Sequence, residues 1–249
     1  MKYFSERKTV RRYSDKKVDL NGIEQMLNDA MRAPSTGNMQ LYSAVITTDE
    51  EVKKQLAPAH FSQPQLMSAP VVITFCADFN RFVKWCRLNH AEPGYNNFQS
   101  FIAAALDAAI FAQQFNTIAE MNGLGCCYLG TTTYNAADIA KVLELPEMVV
   151  PLVTITVGYP ADDSAQVERL PLEAVIHYQK YKDYTDADIA RLYHDKEELE
   201  ENKKFVAENN KETLAQVFTD IRYNKQNNEF FSTAFKRYIE ECGYPFPKE

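Results

Sequence analysis

One helix dominates what this chain can become. Between about Asn97 and Asn122, the residues Phe98, Phe101, Ile102, Ala105, Leu106, Ala109, Ile110, Phe111, Phe115 and Ile118 recur so densely that only a thin polar stripe remains. A helix apolar on nearly every side must be covered by protein on most of them. At about 1.5 Å rise per residue it runs close to 40 Å, more than one small domain needs, so a second subunit is expected to cover the remainder. Asp107, Gln113, Gln114 and Asn116 interrupt the stretch. No apolar run reaches the roughly 18 residues that cross a bilayer, and no membrane partner is expected.

The 249 residues are 45% hydrophobic and 12% aromatic, enough to fill a substantial core. A formal net charge of -7 with no single-sign basic face argues against a nucleic-acid partner. The opening segment from Met1 to Arg7 lacks the apolar centre of a secretory leader. Five cysteines (Cys76, Cys86, Cys126, Cys127, Cys242) form an odd set without C-x-x-C spacing, which excludes a disulfide framework or zinc ribbon and points to a reducing cytoplasm. Adjacent Cys126 and Cys127 are expected to be small core residues. The four histidines (His60, His90, His177, His194) show no ligand spacing, so each is expected to be structural or superficial and no metal is expected.

Around the long helix the chain alternates. Asp19 caps a predicted helix with Leu20, Ile23, Leu27, Ala30 and Met31 on one face, stopped by Pro34. Tyr42 to Thr48 reads as a strand, and Thr48-x-x-Glu51 as a capping box for a short helix ending before Pro58. Val71 to Cys76 is a continuous apolar run of strand length. Gly123-Leu124-Gly125 closes the long helix, Cys126 to Leu129 forms a short strand, and Asn135 caps a helix that stops at Pro146. Val153 to Val157 is the last strand. The order gives an α+β or α/β domain over residues 1–184 without forcing a parallel sheet. From about Thr185 the composition turns charge-dense, then Tyr223, Phe230, Phe231, Phe235, Tyr238 and Ile239 restore an apolar face. Residues 185–249 are therefore predicted to be a helical extension packed on the domain or on a partner subunit.

Three segments carry chemistry. Arg7-Lys8-Thr9-Val10-Arg11-Arg12-Tyr13-Ser14 gathers four cations, whose arginines offer forked donors suited to phosphate. In an extended arm Arg7, Thr9 and Arg11 face one way, Val10 and Arg12 the other. Composition alone fits a solvated basic arm as well. Ala33 to Gln40 is a turn-rich loop whose backbone N–H groups, with the Ser35 and Thr36 hydroxyls, could serve an anion or a ribityl chain. In Tyr128-Leu129-Gly130-Thr131, Gly130 at a strand end lets a flat ring approach the backbone.

In their order, R-x-(S/T)-x-R-x-(F/Y), A-P-S-x-x-N-x-Q and Y-(I/L)-G resemble the FMN-dependent nitroreductase family. Phe75 to Asn80, Gly158 to Asp162 and Arg169-Leu170-Pro171 are similar to its branch of oxygen-insensitive NADPH nitroreductases and NADPH-flavin oxidoreductases. The resemblance spans roughly residues 5–245. It implies an α/β sandwich with a mixed central sheet flanked by helices, in an intertwined homodimer. It also implies that Arg7, Lys8 and Thr9 hold the FMN phosphate with Arg169, and that Arg11 lies by the N1/O2 edge of the ring. Gln63 would bond the ring edge, and Gly130 N–H would approach N5/O4 beside Tyr128 and Leu129. Ser35, Thr36 and Asn38 would come from the other subunit. Where the branch commonly has Lys two residues before the matched arginine, this chain has Val167, so Lys8 or Arg12 must substitute.

The implied activity is hydride transfer from NADPH or NADH, through FMN, to nitroaromatics, quinones or flavins in a ping-pong cycle, with no catalytic side chain of its own. A non-enzymatic FMN carrier or sensor is the competing reading. It differs in predicting tight FMN with negligible nicotinamide oxidation.

Overall fold

The computed structural model describes residues 2–247, and Met1 of the opening segment lies outside them. The chain divides into two compact units, Met1–Ala165 with Phe231–Glu249, and Gln166–Phe230. The boundary expected between residues 184 and 185 falls inside the second unit.

The first unit is built on strands β1 (Tyr42–Thr47), β2 (Val71–Asp78), β3 (Gly125–Leu129) and β4 (Val149–Gly158), in the order β1-β2-β4-β3. Its helices are α1 (Lys2–Glu6), α2 (Leu20–Ala30), α3 (Glu50–Leu56), α4 (Pro64–Ser68), α5 (Asn80–Leu88), α6 (Phe98–Met121) and α7 (Ala136–Val142). The α+β class is as expected. Among the described residues every strand pairing is antiparallel, where the family resemblance implied a mixed sheet.

Alternation along the strands sends side chains to two layers. Val71, Ile73 and Phe75 of β2, with Cys126 of β3 and Ile155 and Val157 of β4, pack under α2 and α6. Val72, Cys127 and Leu129 turn the other way, onto Leu56, Leu66 and Ile139. Cys126 and Cys127 are therefore buried on opposite faces, and all five cysteines are free. A third cluster at one end joins Leu41, Phe79, Phe101 and Val150 to Ile239 and Tyr244 of the returning chain.

Local differences from expectation have local causes. Asp49, not Thr48, caps α3, its carboxylate accepting from the N–H of Glu51 (2.9 Å) and Val52 (3.0 Å). Asn135 precedes α7 but does not cap it through its side chain, which donates instead to Ala59 O at 2.7 Å. Strand β4 begins four residues before Val153 and includes Pro151. That proline stands opposite Cys76, where the register shifts between Phe75 and Cys76; a bulge is where an interior strand tolerates a residue without an N–H.

The second unit contains α8 (Asp186–Glu198), α9 (Glu200–Glu208), α10 (Leu214–Gln216) and the start of α11 (Lys225–Glu241). Thr185 and Asp188 form a capping box at α8, and Thr213 with Gln216 another at α10. Its surface is laced with short-range ion pairs such as Lys203–Glu198 at 2.9 Å.

Candidate functional site

The cationic arm is held in one register. Val10 N donates to Cys126 O at 3.1 Å, Ser14 N to Tyr159 O at 2.9 Å, and Ala161 N to Arg12 O at 3.0 Å. A glycine makes the close approach possible: a Cβ on Gly125 would lie 2.5 Å from Val10 Cβ. The Tyr13 ring lies alongside, its hydroxyl 2.9 Å from Thr156 O, and burial pushes its phenol far above the usual range.

Alternation then distributes the cations, as the extended reading expected for Arg7 and Thr9. Arg7 Nη1 donates to Thr9 Oγ1 at 3.2 Å, while its Nε and Nη2 face the Glu120 carboxylate near the end of α6. Tyr3 donates to the same carboxylate at 2.6 Å. Lys8 pairs with Asp163, and exposed Arg12 with Asp162 at 2.9 Å. Arg11 has no carboxylate partner among the described residues; burial pushes the Cys127 thiol of β3 above its usual range. Arg11 is thus the unneutralised cation of the arm.

Gly130 follows β3 with nothing within 4 Å of where a Cβ would stand, so its backbone is open to a flat ligand. Tyr128 is partly exposed and donates to Gln113 Oε1 at 3.3 Å. The Leu129 side chain is buried in the core, so only its backbone can face a ligand here. Thr131 also turns inward, its Oγ1 lying 2.9 Å from His60 Nδ1. Gln63 is half-buried ahead of α4 and accepts from Gln65 Nε2.

The Ser35–Gln40 loop carries three left-handed residues, Gly37, Asn38 and Gln40, with φ near 55°. Buried Asp107 holds it. Ser35 Oγ donates to Asp107 Oδ2 at 2.9 Å and Thr36 Oγ1 to Oδ1 at 2.8 Å, with Thr36 N at 2.9 Å. Both hydroxyl protons are thereby directed into the protein, which leaves these side chains acceptors only; Asn38 remains exposed. Arg169 belongs to the second unit, where its Nη1 donates to Glu168 O at 2.8 Å, and Val167 beside it is exposed.

Asp107, Glu120 and His60 are the supporting residues that sequence reasoning passed over. Asp107 had a visible signal, a carboxylate inside an otherwise apolar helix. Glu120 and His60 had none, since their partners lie 113 and 71 residues away.

A glycine-seated cationic arm, an open strand end and an α+β layered core meet in the first unit. The chain belongs to the nitroreductase family, whose sequence pattern matches residues 4–159. The FMN reductase (NAD(P)H) of Bacillus subtilis is 34% identical over 183 residues, which are 73% of this chain and 74% of that protein. The oxygen-insensitive NADPH nitroreductase of Salmonella typhimurium is 30% identical over 184 residues, 74% of this chain and 75% of its own. A crystal structure from Bacteroides fragilis superposes with a TM-score of 0.96 at 52% identity, covering 98% of this chain and 99% of the other.

Proposed function

We propose that this chain is an FMN-dependent oxidoreductase that passes hydride from NAD(P)H to small acceptors. The observation that carries the reading is Arg11, a cation without a carboxylate partner among the described residues, held by the arm's register against the strand that leads to Gly130. Family membership supports the cofactor class, and the relatives named FMN reductase and NADPH nitroreductase support the choice of NAD(P)H as donor and of small acceptors.

The donor set fits a flavin mononucleotide. Thr9 accepts from Arg7, so its own hydroxyl proton is available to a phosphate oxygen. Lys8 is only partly covered by its exposed partner Asp163 and can exchange it for phosphate. Gly130 offers an unobstructed backbone N–H, Tyr128 and Leu129 flank it, and Gln63 offers an amide. The family resemblance is the ground for proposing Arg169 as a phosphate ligand, and Ser35, Thr36 and Asn38 as contacts to the flavin of a partner subunit. Bound there, FMN would supply the hydride-carrying chemistry between a nicotinamide and an acceptor. Arg11 stabilises negative charge as it develops at the ring edge, and no acid–base side chain is required. Donor and acceptor occupy the same open face in turn, a ping-pong cycle. Nitroaromatics, quinones and free flavin all suit such a face.

Two copies form the working enzyme, in a reducing cytoplasm compatible with five free thiols. Neither nucleic acid nor membrane is a proposed partner. The visible absorption spectrum of the purified protein tests the proposal. A flavin band that bleaches under anaerobic NADPH and returns with acceptor is expected. A colourless protein that cannot be loaded with FMN refutes it, and a band that NADPH leaves unchanged favours the carrier instead.

A further inference from the structure

We infer that His60 is a positioning residue for the flavin site: through Thr131 it locks the segment carrying Gln63 to the segment carrying Gly130. The inference rests on the proposed placement of FMN between those two segments.

His60 closes a short turn, Pro58–His60, and is fully buried. Its Nδ1 lies 2.9 Å from Thr131 Oγ1, and Thr131 directly follows Gly130. From His60 the backbone reaches Gln63 through two left-handed residues, Phe61 (φ 53°) and Ser62 (φ 52°). This unusual path is pinned by Ser62 N donating to Ala57 O at 2.8 Å and Gln63 N to His60 O at 3.2 Å. Across the gap, Thr132 Oγ1 donates to Leu129 O at 3.0 Å and Tyr134 N to Thr131 O at 3.1 Å, fixing the turn after β3. Asn135 Nδ2 adds a second tie to the same segment at Ala59 O. The two loops are each internally fixed, and the imidazole sets their separation.

His60 Nε2 is buried without a hydrogen-bond partner. One hydrogen bond joins Nδ1 to Thr131 Oγ1, and either atom can be its donor. Protonating both nitrogens would place a charge and an unpaired donor in the core.

The test uses the FMN-loaded enzyme. Thr131→Val removes the hydroxyl that bonds His60 at nearly constant volume, while Thr131→Ser keeps it. Thr131→Val is expected to raise the FMN dissociation constant about tenfold and shift the flavin band, and Thr131→Ser to restore both. A merely structural contact would lower the melting temperature and leave the constant and the band unchanged. Wild-type affinity and spectrum in Thr131→Val therefore overturn the latch. Gln63→Ala then separates the two ideas: a shifted band leaves the flavin placement standing, and an unchanged one removes it as well. Should Thr131→Val not fold, nitrogen NMR of the wild-type protein decides. Removing FMN shifts the His60 Nδ1 resonance if the latch bears on the site, and an identical resonance with and without FMN overturns it.

Discussion

At the scale of single residues, charge and burial separate those that face a ligand from those that support them. Arg11 is exposed and has no carboxylate partner among the described residues, so Arg11→Ala is expected to leave the fold intact. Losing one preorganised charged donor costs about 3 kcal/mol, so flavin reduction by NADPH slows roughly a hundredfold or FMN binding weakens comparably. Stopped-flow traces and FMN titrations matching the wild type would remove Arg11 from the site. His60 shows the opposite behaviour. Burial pushes its pKa from 6.5 down to about 4. Between those values the unfolded chain binds the proton and the folded one resists it. Stability contributed by the neutral ring is therefore whole above about pH 6.5 and lost on acidification, by about 3 kcal/mol at most. Carboxylates titrate in the same window, so the quantity to measure is the stability difference between wild type and His60→Gln in denaturant. That difference should shrink from about pH 7 to about pH 5; a constant difference contradicts a buried neutral imidazole.

At the scale of elements, the arm and β3 act as one piece because Gly125 leaves room for Val10. Gly125→Ala would set a methyl 2.5 Å from Val10 Cβ, so the arm must lift or the strand must shift. Overpacking of this kind costs about 1–3 kcal/mol, and FMN affinity should fall with stability because the arm carries Arg7, Thr9 and Arg11. Val10→Gly in the same chain, which removes the clashing Cβ itself, should recover much of both; a double variant no better than the single one breaks the link. The same elements show what a sequence discloses. The long helix, the Asp19 cap and the core run of β2 were legible because periodicity and turn residues are local signals. Half of β4 was not, because Pro151 reads as a strand breaker until its bulge is seen. The order of the three chemical segments was legible as a family pattern. What tethers them was not: Asp107, Glu120 and His60 act through partners far along the chain, and local spacing carries no trace of such pairings.

At the scale of the whole molecule, α6 is what favours the proposed pairing of two copies. Its inner face is buried on the sheet, yet Leu106 and Ile110, one turn apart, remain 58% and 42% exposed, and Met121 is 65% exposed. Among the described residues this is the one helix long and apolar enough to cross a bilayer. Its buried Asp107 and Asn116 instead suit a helix packed inside protein. Scattered apolar residues need no explanation, but a contiguous stripe on a central helix marks an interface. The stripe adjoins the proposed flavin site, because Asp107, next to Leu106 in the chain, anchors the Ser35–Gln40 loop. A second copy seated on α6 would bury the stripe and bring that loop to its neighbour's flavin. Assembly and cofactor binding are then coupled: Leu106→Glu with Ile110→Glu should yield monomers that also lose FMN. Sedimentation equilibrium at low micromolar concentration is expected to give a dimer for the wild type and a colourless monomer for the double variant. A wild-type monomer retaining FMN would separate the two functions and leave the apolar stripe of α6 without a role in the site.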